Sequence, residues 1–161
     1  MNEDTHKAGM LAVDAASVAP RIKPSFYPPP FAARVNGRVK RQLGDLFGLR
    51  NFGVNYTVIQ PGAISALHHA HTTQDEFIYV LDGEVTLFVG AQSMVLKVGM
   101  CAGFPAGGEA HHLENRSDAP ATYLEIGDRD ATDKVSYPDD DLIALRTGEG
   151  WRFTHRDGTP Y

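Results

Sequence analysis

The residues of this sequence best suited to chemistry are three histidines and one glutamate. His69, His71 and Glu76 lie close together in the chain, and His111 follows in a later apolar segment. Residues two apart on a strand project to the same face, so His69 and His71 can point together while His68 points away. The four residues between His71 and Glu76 are enough to return the chain and place the carboxylate opposite the two imidazoles.

This set of side chains is suited to a divalent transition metal. Neutral imidazoles with one carboxylate bind Fe, Mn, Zn, Ni or Co, and His111 can complete a shell of three histidines and one glutamate. The adjacent histidines His68 and His112 fall on the opposite strand faces, so we expect them not to bind the metal. The sequence therefore predicts one metal ion held by four side chains: His69, His71, Glu76 and His111.

Short apolar segments must position these side chains. Gly, Pro, Asn and Asp residues separate such segments from Asn51 onward, which is typical of an all-β sandwich or barrel. The Asp82-Gly83 dipeptide predicts a tight hairpin whose two flanking strands pair antiparallel. The predicted strands are 52–60, 64–70, 76–82, 84–90, 94–98, 100–105, 110–116 and 121–127.

The chain divides into three parts around this barrel. Residues 1–45 lack a sustained apolar period, and Pro24 with the prolines at 28–30 favours extended backbone, so we expect an extended N-terminal arm. Residues 46–127 form the predicted barrel. Residues 128–161 are a polar C-terminal tail with a short helix through 143–145, and we expect the tail to pack on the barrel or on a partner subunit.

Length and composition indicate a single globular domain. The 161 residues are 42% hydrophobic and 22% charged, which is enough to bury a core. The net charge of -5 argues against a nucleic-acid partner. No apolar segment is long enough for a membrane span or a signal peptide, so we expect a cytoplasmic protein with no membrane partner. The single cysteine, Cys101, is expected to be buried and inert.

Positive charge is concentrated in the predicted arm. No acidic residue lies between Asp14 and Asp45, and the basic residues of this interval are Arg21, Lys23, Arg34, Arg38, Lys40 and Arg41. They could lie on the acidic barrel or a partner subunit, or they could bind a phosphate or carboxylate group of a ligand. Open sheet edges, apolar outer faces and the proline-rich arm favour a homodimer.

The two segments that carry the candidate ligands resemble the paired motifs of the cupin superfamily. The first follows G-x6-H-x-H-x4-E-x6-G from Gly62 to Gly83, and the second follows G-x5-P-x-G-x3-H-x3-N from Gly99 to Asn115. Each departs from the usual consensus by one residue in a turn, where an extra residue is readily accommodated. The resemblance covers residues 55–127 and implies a double-stranded β-helix, which is a jelly-roll barrel.

Residues 101–105, 111–120 and 153–161 resemble a subgroup of small bacterial cupins that are often labelled as candidate sugar-phosphate isomerases. The resemblance implies a metal-dependent enzyme that isomerises or epimerises a small oxygenated substrate, a sugar or sugar phosphate. Such a reaction needs a general base, for which Glu125 and Tyr123 on the last predicted strand are candidates from their position. The same site filled with Fe(II) would support dioxygenase chemistry, and a barrel that binds a small ligand without turnover is a third interpretation.

Overall fold

The computed structural model describes residues 10–23 and 25–161, so the predictions for residues 1–9 and for Pro24 lie outside the described residues. The described chain is mostly antiparallel strand, with a 3-10 helix at Ala15–Ser17 and two short helices, α1 (Phe31–Arg34) and α2 (Leu43–Leu46). The strands are β1 (Arg38–Gln42), β2 (Phe52–Ile59), β3 (Ala70–His71), β4 (Glu76–Asp82), β5 (Glu84–Val89), β6 (Gln92–Lys97), β7 (Cys101–Phe104), β8 (His111–Glu114), β9 (Ala121–Asp128), β10 (Lys134–Tyr137), β11 (Leu142–Thr147) and β12 (Gly150–Thr154).

These strands form three sheets within the described part of the chain. Their orders are β1-β2-β9-β4-β7, β12-β11-β10-β3 and β6-β5-β8. In the first sheet Glu125 on β9 is paired with Ile78 on one side and with Asn55 on the other. Directly opposed residues project to the same face, so this register fixes which side chains enter the barrel. The architecture confirms the predicted all-β jelly-roll fold.

Two apolar clusters hold the sheets together. One joins the first and third sheets through buried residues such as Ile59, Val80 and Leu96. The other lies under the β10–β12 sheet and includes Leu67 and Leu142, which are fully buried. Each such side chain contributes roughly 1.5–3 kcal/mol on burial. The second cluster anchors the C-terminal strands against the same barrel that carries the candidate ligands.

The turn at Asp82-Gly83 does not form the predicted hairpin. β4 pairs with β7 and β9, whereas β5 pairs with β6 and β8, so the chain crosses from one sheet to another at this point. Gly83 has a φ of 71°, and a Cβ there would lie 2.8 Å from the carbonyl oxygen of Pro120. Glycine is required because the chain changes sheet sharply beside the strand that follows Pro120.

Regular strands also occur outside the predicted barrel range of 46–127. β1 lies in the predicted arm and pairs with β2, and β10 to β12 lie in the predicted tail, where β10 pairs with β3. The helix expected at 143–145 is wrong, since these residues belong to β11 and Ala144 is buried in the core. In the described part of the chain, no helix has the length and apolar character of a membrane span.

Two smaller expectations are also corrected. The segment predicted as a strand at 64–70 is largely a loop, with isolated bridges from Ile64 to Glu114 and from His69 to His111 before β3 begins. Cys101, expected to be buried, is exposed on β7, which is the edge strand of its sheet. Its side chain lies on the outer face because the inward positions of β7 are taken by Ala102 and Phe104.

Candidate metal centre

Three imidazole rings converge on one carboxylate oxygen. His69 and His71 flank Ala70 at β3, and His111 begins β8, which is tied to His69 by backbone hydrogen bonds in both directions. Glu76 begins β4. The Nε2 atoms of His69, His71 and His111 lie 3.3, 3.3 and 2.9 Å from Oε2 of Glu76. The structure therefore brings together all four residues that the sequence proposed as ligands.

One potential ligand atom from each of His69, His71 and Glu76 lies within 4.8 Å of the other two. His111 borders this group, with its ring centroid 4.7 Å from that of His69. The His111 ring stacks on Phe104 at 3.6 Å between centroids, nearly parallel at 4°. This stacking fixes the plane of the ring and directs its Nε2 toward Glu76.

Hydrogen bonds behind two of the rings determine which nitrogen faces Glu76. Nδ1 of His69 lies 2.7 Å from the carbonyl oxygen of Leu67, which can only accept, so Nδ1 carries the proton and donates. Nδ1 of His71 lies 2.6 Å from Oδ2 of Asp133 and donates in the same way. A neutral ring with its proton on Nδ1 has a lone pair on Nε2, which is the form that binds a metal.

Asp133 is a site residue that the sequence analysis missed. It lies between β9 and β10, is 1% exposed, and accepts hydrogen bonds from the backbone N–H groups of Thr72 and Thr73, both at 3.1 Å. Burial would raise the pKa of Asp133, but hydrogen bonds from His71 and Thr73 outweigh it and lower the pKa. The alternation of polar and apolar residue types over 134–137 was the sequence signal that a strand begins beside it.

The electrostatics of the cluster require positive charge at its centre. Nε2 lone pairs that face a carboxylate oxygen repel it unless a cation lies among them. Burial would raise the pKa of Glu76, but bonds from the three imidazoles hold it well below its usual value. Burial opposes charge on His71, yet Glu76 and Asp133 raise its pKa to about 9. Burial lowers the pKa of His111. A proton can supply the charge, and so can a divalent metal, for which this donor set is well suited.

The four residues line one cavity of about 200 Å³, which also contains both predicted catalytic residues. Oε1 of Glu125 accepts hydrogen bonds from Nζ of Lys40 at 2.5 Å and from Nδ2 of Asn55 at 3.2 Å. Tyr123 is fully buried, and burial raises its pKa well above the usual value. Its hydroxyl makes no hydrogen bond of normal geometry with the described residues, although the side chain of Ser65 lies close to it.

The structure separates the basic residues of the predicted arm into two groups. Arg21, Arg38 and Lys40 line the cavity. Arg34 instead forms an ion pair at 2.5 Å outside the cavity, and Arg41 lies 5.9 Å from the centre of a tyrosine ring. Because Arg38 and Lys40 alternate with Arg41 along β1, the inward face of this strand carries the cations that reach the cavity.

The neighbouring histidines have partners of their own. Nδ1 of His68 lies 2.9 Å from Oδ2 of Asp139, and its Nε2 lies 2.9 Å from the carbonyl oxygen of Ala110. Nε2 of His112 lies 3.1 Å from Oε1 of Glu114. Neither ring lines the cavity, as expected from the alternation of strand faces.

Comparisons with known proteins agree with this geometry. The family model of the cupin domain matches residues 55–127 of this chain. One solved structure is described as a sugar phosphate isomerase from the cupin superfamily and comes from Silicibacter pomeroyi. Its sequence is 40% identical to this chain, and the match covers 93% of this chain and 96% of that chain with a TM-score of 0.87. A candidate sugar phosphate isomerase from Acidithiobacillus ferrooxidans is 31% identical, with 77% of this chain and 80% of that chain covered and a TM-score of 0.71.

A more distant structure shares the fold alone. The polyketide cyclase RemF from Streptomyces resistomycificus is 20% identical over 74% of this chain and 79% of that chain, with a TM-score of 0.61. No curated protein matches the chain.

Proposed function

The chain belongs to the cupin superfamily, and from this membership we propose that it is a metal-dependent isomerase or epimerase of a small sugar or sugar phosphate. The observation that carries the proposal is the convergence of three imidazole Nε2 atoms on Glu76 in the cavity that Glu125 also lines. The name of the 40% identical relative, a sugar phosphate isomerase, supports the same reaction class.

The metal would be held by His69, His71, Glu76 and His111, and it would be one divalent ion of Fe, Mn, Zn, Ni or Co. Such an ion polarises a carbonyl group and stabilises negative charge on oxygen. Leu67 and Asp133 accept hydrogen bonds from Nδ1 of His69 and His71, and Phe104 stacks on the ring of His111. These contacts hold the three metal-binding nitrogens in place. Such outer contacts keep a site oriented before the ion binds.

Glu125 is the proposed general base. Its carboxylate takes the proton from the carbon beside the substrate carbonyl, and the electron pair of the broken C–H bond forms the carbon–carbon double bond of an enediolate as the carbonyl electron pair moves onto oxygen. Glu125 then returns the proton to the former carbonyl carbon, while the proton of the substrate hydroxyl passes to the other oxygen, so the carbonyl and hydroxyl groups exchange places without net change in composition. Lys40 and Asn55 hold Glu125 in position, and the neutral hydroxyl of Tyr123 donates a hydrogen bond to substrate oxygen.

The size of the cavity supports a small substrate. Its volume of about 200 Å³ lies below the roughly 300–1,000 Å³ typical of sites for drug-sized ligands. Apolar side chains such as Ile78 and Leu113 cover part of the wall and limit access of water to the reacting carbons. A sugar of a few carbons fits this space better than a polymer or an extended cofactor.

The test is a substrate screen with metal-loaded protein in D2O, run with and without oxygen and read by NMR. We expect deuterium to enter the carbon beside the carbonyl without oxygen. Glu125→Gln should abolish this exchange and retain the metal. Glu114→Gln is the matched control, because Glu114 lies outside the cavity, and it should retain activity. Turnover that strictly requires oxygen would identify a dioxygenase instead, and ligand binding without turnover on any metal would identify a binding protein.

We also propose that the chain forms a homodimer through the outer face of β4. Phe77, Tyr79 and Leu81 alternate on this face and are 39%, 39% and 37% exposed, and Val98 and Met100 lie beside them at 59% and 38%. Contiguous apolar surface of this kind is rare on monomers and typical of symmetric interfaces. The adjacent strand β7 is an open edge of the sheet, which also favours cover by a second copy.

A further inference from the structure

Three cations enter the cavity from the β1 edge of the first sheet, away from β4, which carries Glu76. Arg38 and Lys40 project from the inward face of β1, which is the edge strand three positions from β4 in its sheet. Arg21 comes from the preceding segment, whose backbone N–H donates to the carbonyl oxygen of Lys40 at 2.8 Å. Two separate stretches of chain therefore direct their basic side chains into one confined space.

The cations are crowded as well as confined. Arg38 is 9% exposed, and its guanidinium donates to the backbone carbonyl of Ser65, which holds it toward the cavity. Burial lowers the pKa of Lys40, and the charges of Arg38 and Arg21 lower it further, while Glu125 opposes them. Burial and the neighbouring charge of Arg38 likewise lower the pKa of Arg21. Glu125 opposes the shift of Arg21 as well, so one carboxylate already lies among the three cations, and an anion bound beside the arginines would reduce the remaining repulsion.

The two carboxylates among the described lining residues both have partners, and one partner of Glu125 is Lys40, which belongs to the three cations. Glu76 is surrounded by the three imidazoles, and Glu125 accepts from Lys40 and Asn55. A planar guanidinium matches two oxygens of a phosphate or carboxylate group in a bidentate arrangement. The chemistry of this side of the cavity is therefore suited to a small oxyanion.

We propose that Arg21 and Arg38, supported by Lys40, form an anion subsite that binds a terminal phosphate or carboxylate group of the substrate. The inference rests on the proposed function, because it places the hydroxycarbonyl end of the same molecule against the His69, His71, Glu76 and His111 cluster. The substrate class is then a short hydroxycarbonyl compound with one terminal anionic group, and a neutral sugar of the same length binds more weakly.

Calorimetry with three inert probes of one skeleton tests this subsite in the metal-loaded full chain. The probes are glycerol 3-phosphate, glycerate and glycerol, which carry a phosphate, a carboxylate and no charge. We expect an anionic probe to bind at least about tenfold more tightly than glycerol, and the stronger of the two identifies the preferred anion. Arg21→Gln and Arg38→Gln should each weaken that binding by about 10- to 100-fold, with metal content unchanged.

Arg34→Gln is the matched control, because it removes one arginine of the same interval that does not line the cavity. It should leave probe affinity unchanged, and an equal loss in this variant would show a general charge effect and overturn the subsite. Equal affinity for glycerol and both anions would overturn it as well. Should Arg38→Gln fail to fold, two other results decide whether the subsite exists. Arg21→Gln should weaken binding of the anionic probe, and this probe should raise the melting temperature of the unaltered protein.

The outcomes separate this inference from the proposed function. Anion binding that depends on Arg21 and Arg38, without turnover of any hydroxycarbonyl compound, would support the subsite and contradict the isomerase. Isomerisation of neutral sugars as efficiently as of their phosphates and acids would support the isomerase and contradict the subsite.

Discussion

Replacing Asp133 by Asn should weaken metal binding without removing any proposed ligand. Oδ1 of Asp133 accepts from the N–H groups of Thr72 and Thr73 at 3.1 Å, while Oδ2 faces Nδ1 of His71 at 2.6 Å. To keep the first set of bonds, the new side chain must turn its NH2 group toward His71. Nδ1 of His71 must then accept, which moves the ring proton to Nε2 and removes the lone pair that would bind the metal.

The size of the effect follows from the bond that must be sacrificed. Restoring the lone pair on Nε2 leaves an N–H group of His71 facing the NH2 group of the introduced amide, and losing a hydrogen bond to a charged group costs about 1.5–3 kcal/mol. This corresponds to a dissociation constant raised by about 10- to 100-fold. The assay is a competition titration against a chromogenic chelator, with circular dichroism to confirm that Asp133→Asn is folded.

The matched control is Asp139→Asn, which removes the carboxylate that contacts Nδ1 of His68 at 2.9 Å. Because the His68 ring does not line the cavity, this change should leave metal affinity unaltered. Unchanged affinity in a folded Asp133→Asn protein would show that the aspartate does not orient the site. An equal loss in both variants would show that the effect reflects charge alone.

Three further outcomes are expected. Metal analysis of purified variants should show low metal occupancy after Ala substitution of His69, His71, Glu76 or His111. His68→Ala and His112→Ala should retain full occupancy, and an empty site in His68→Ala would mean that the ligands are assigned to the wrong strand face. Tyr123→Phe should keep its metal and lower kcat by about 10²-fold, and an unaltered kcat would exclude a role for the hydroxyl. Light scattering should report a dimer for the unaltered chain and a monomer for Tyr79→Glu. The control Met94→Glu, on β6 in the β6-β5-β8 sheet, should remain a dimer, and a dimeric Tyr79→Glu would place the interface elsewhere.

Three of the four candidate ligands, His69, His71 and Glu76, could be predicted from the sequence because their geometry is local. His69 and His71 are two residues apart, and an extended backbone directs both rings to one side wherever the strand lies. The segment from 64 to 70 is largely a loop rather than a strand. The isolated bridge from His69 to His111 nevertheless keeps the backbone extended at His69, so that its ring and that of His71 lie on the same side. The pairing of Glu76 with these rings needed only a short return of the chain.

The other parts of the site depend on contacts that periodicity does not reveal. β1 was missed because its inward face carries Arg38 and Lys40, and a search for alternating apolar residues cannot detect a strand whose inner side chains line a polar cavity. Asp133 contacts His71 across 62 positions in sequence. The Asp82-Gly83 turn signal was real, but a local signal could not tell a hairpin from a crossing between sheets.

Anomalous diffraction from a crystal of the protein loaded with one divalent transition metal tests the metal centre most directly. We expect a single peak per chain among His69, His71, Glu76 and His111, which the folded chain already brings together. Its height should fall to background in a His71→Ala crystal and persist in a His68→Ala crystal. A peak beside His68 and His112, or no peak within the cavity at saturating metal, would contradict the assignment of this cluster as the metal site.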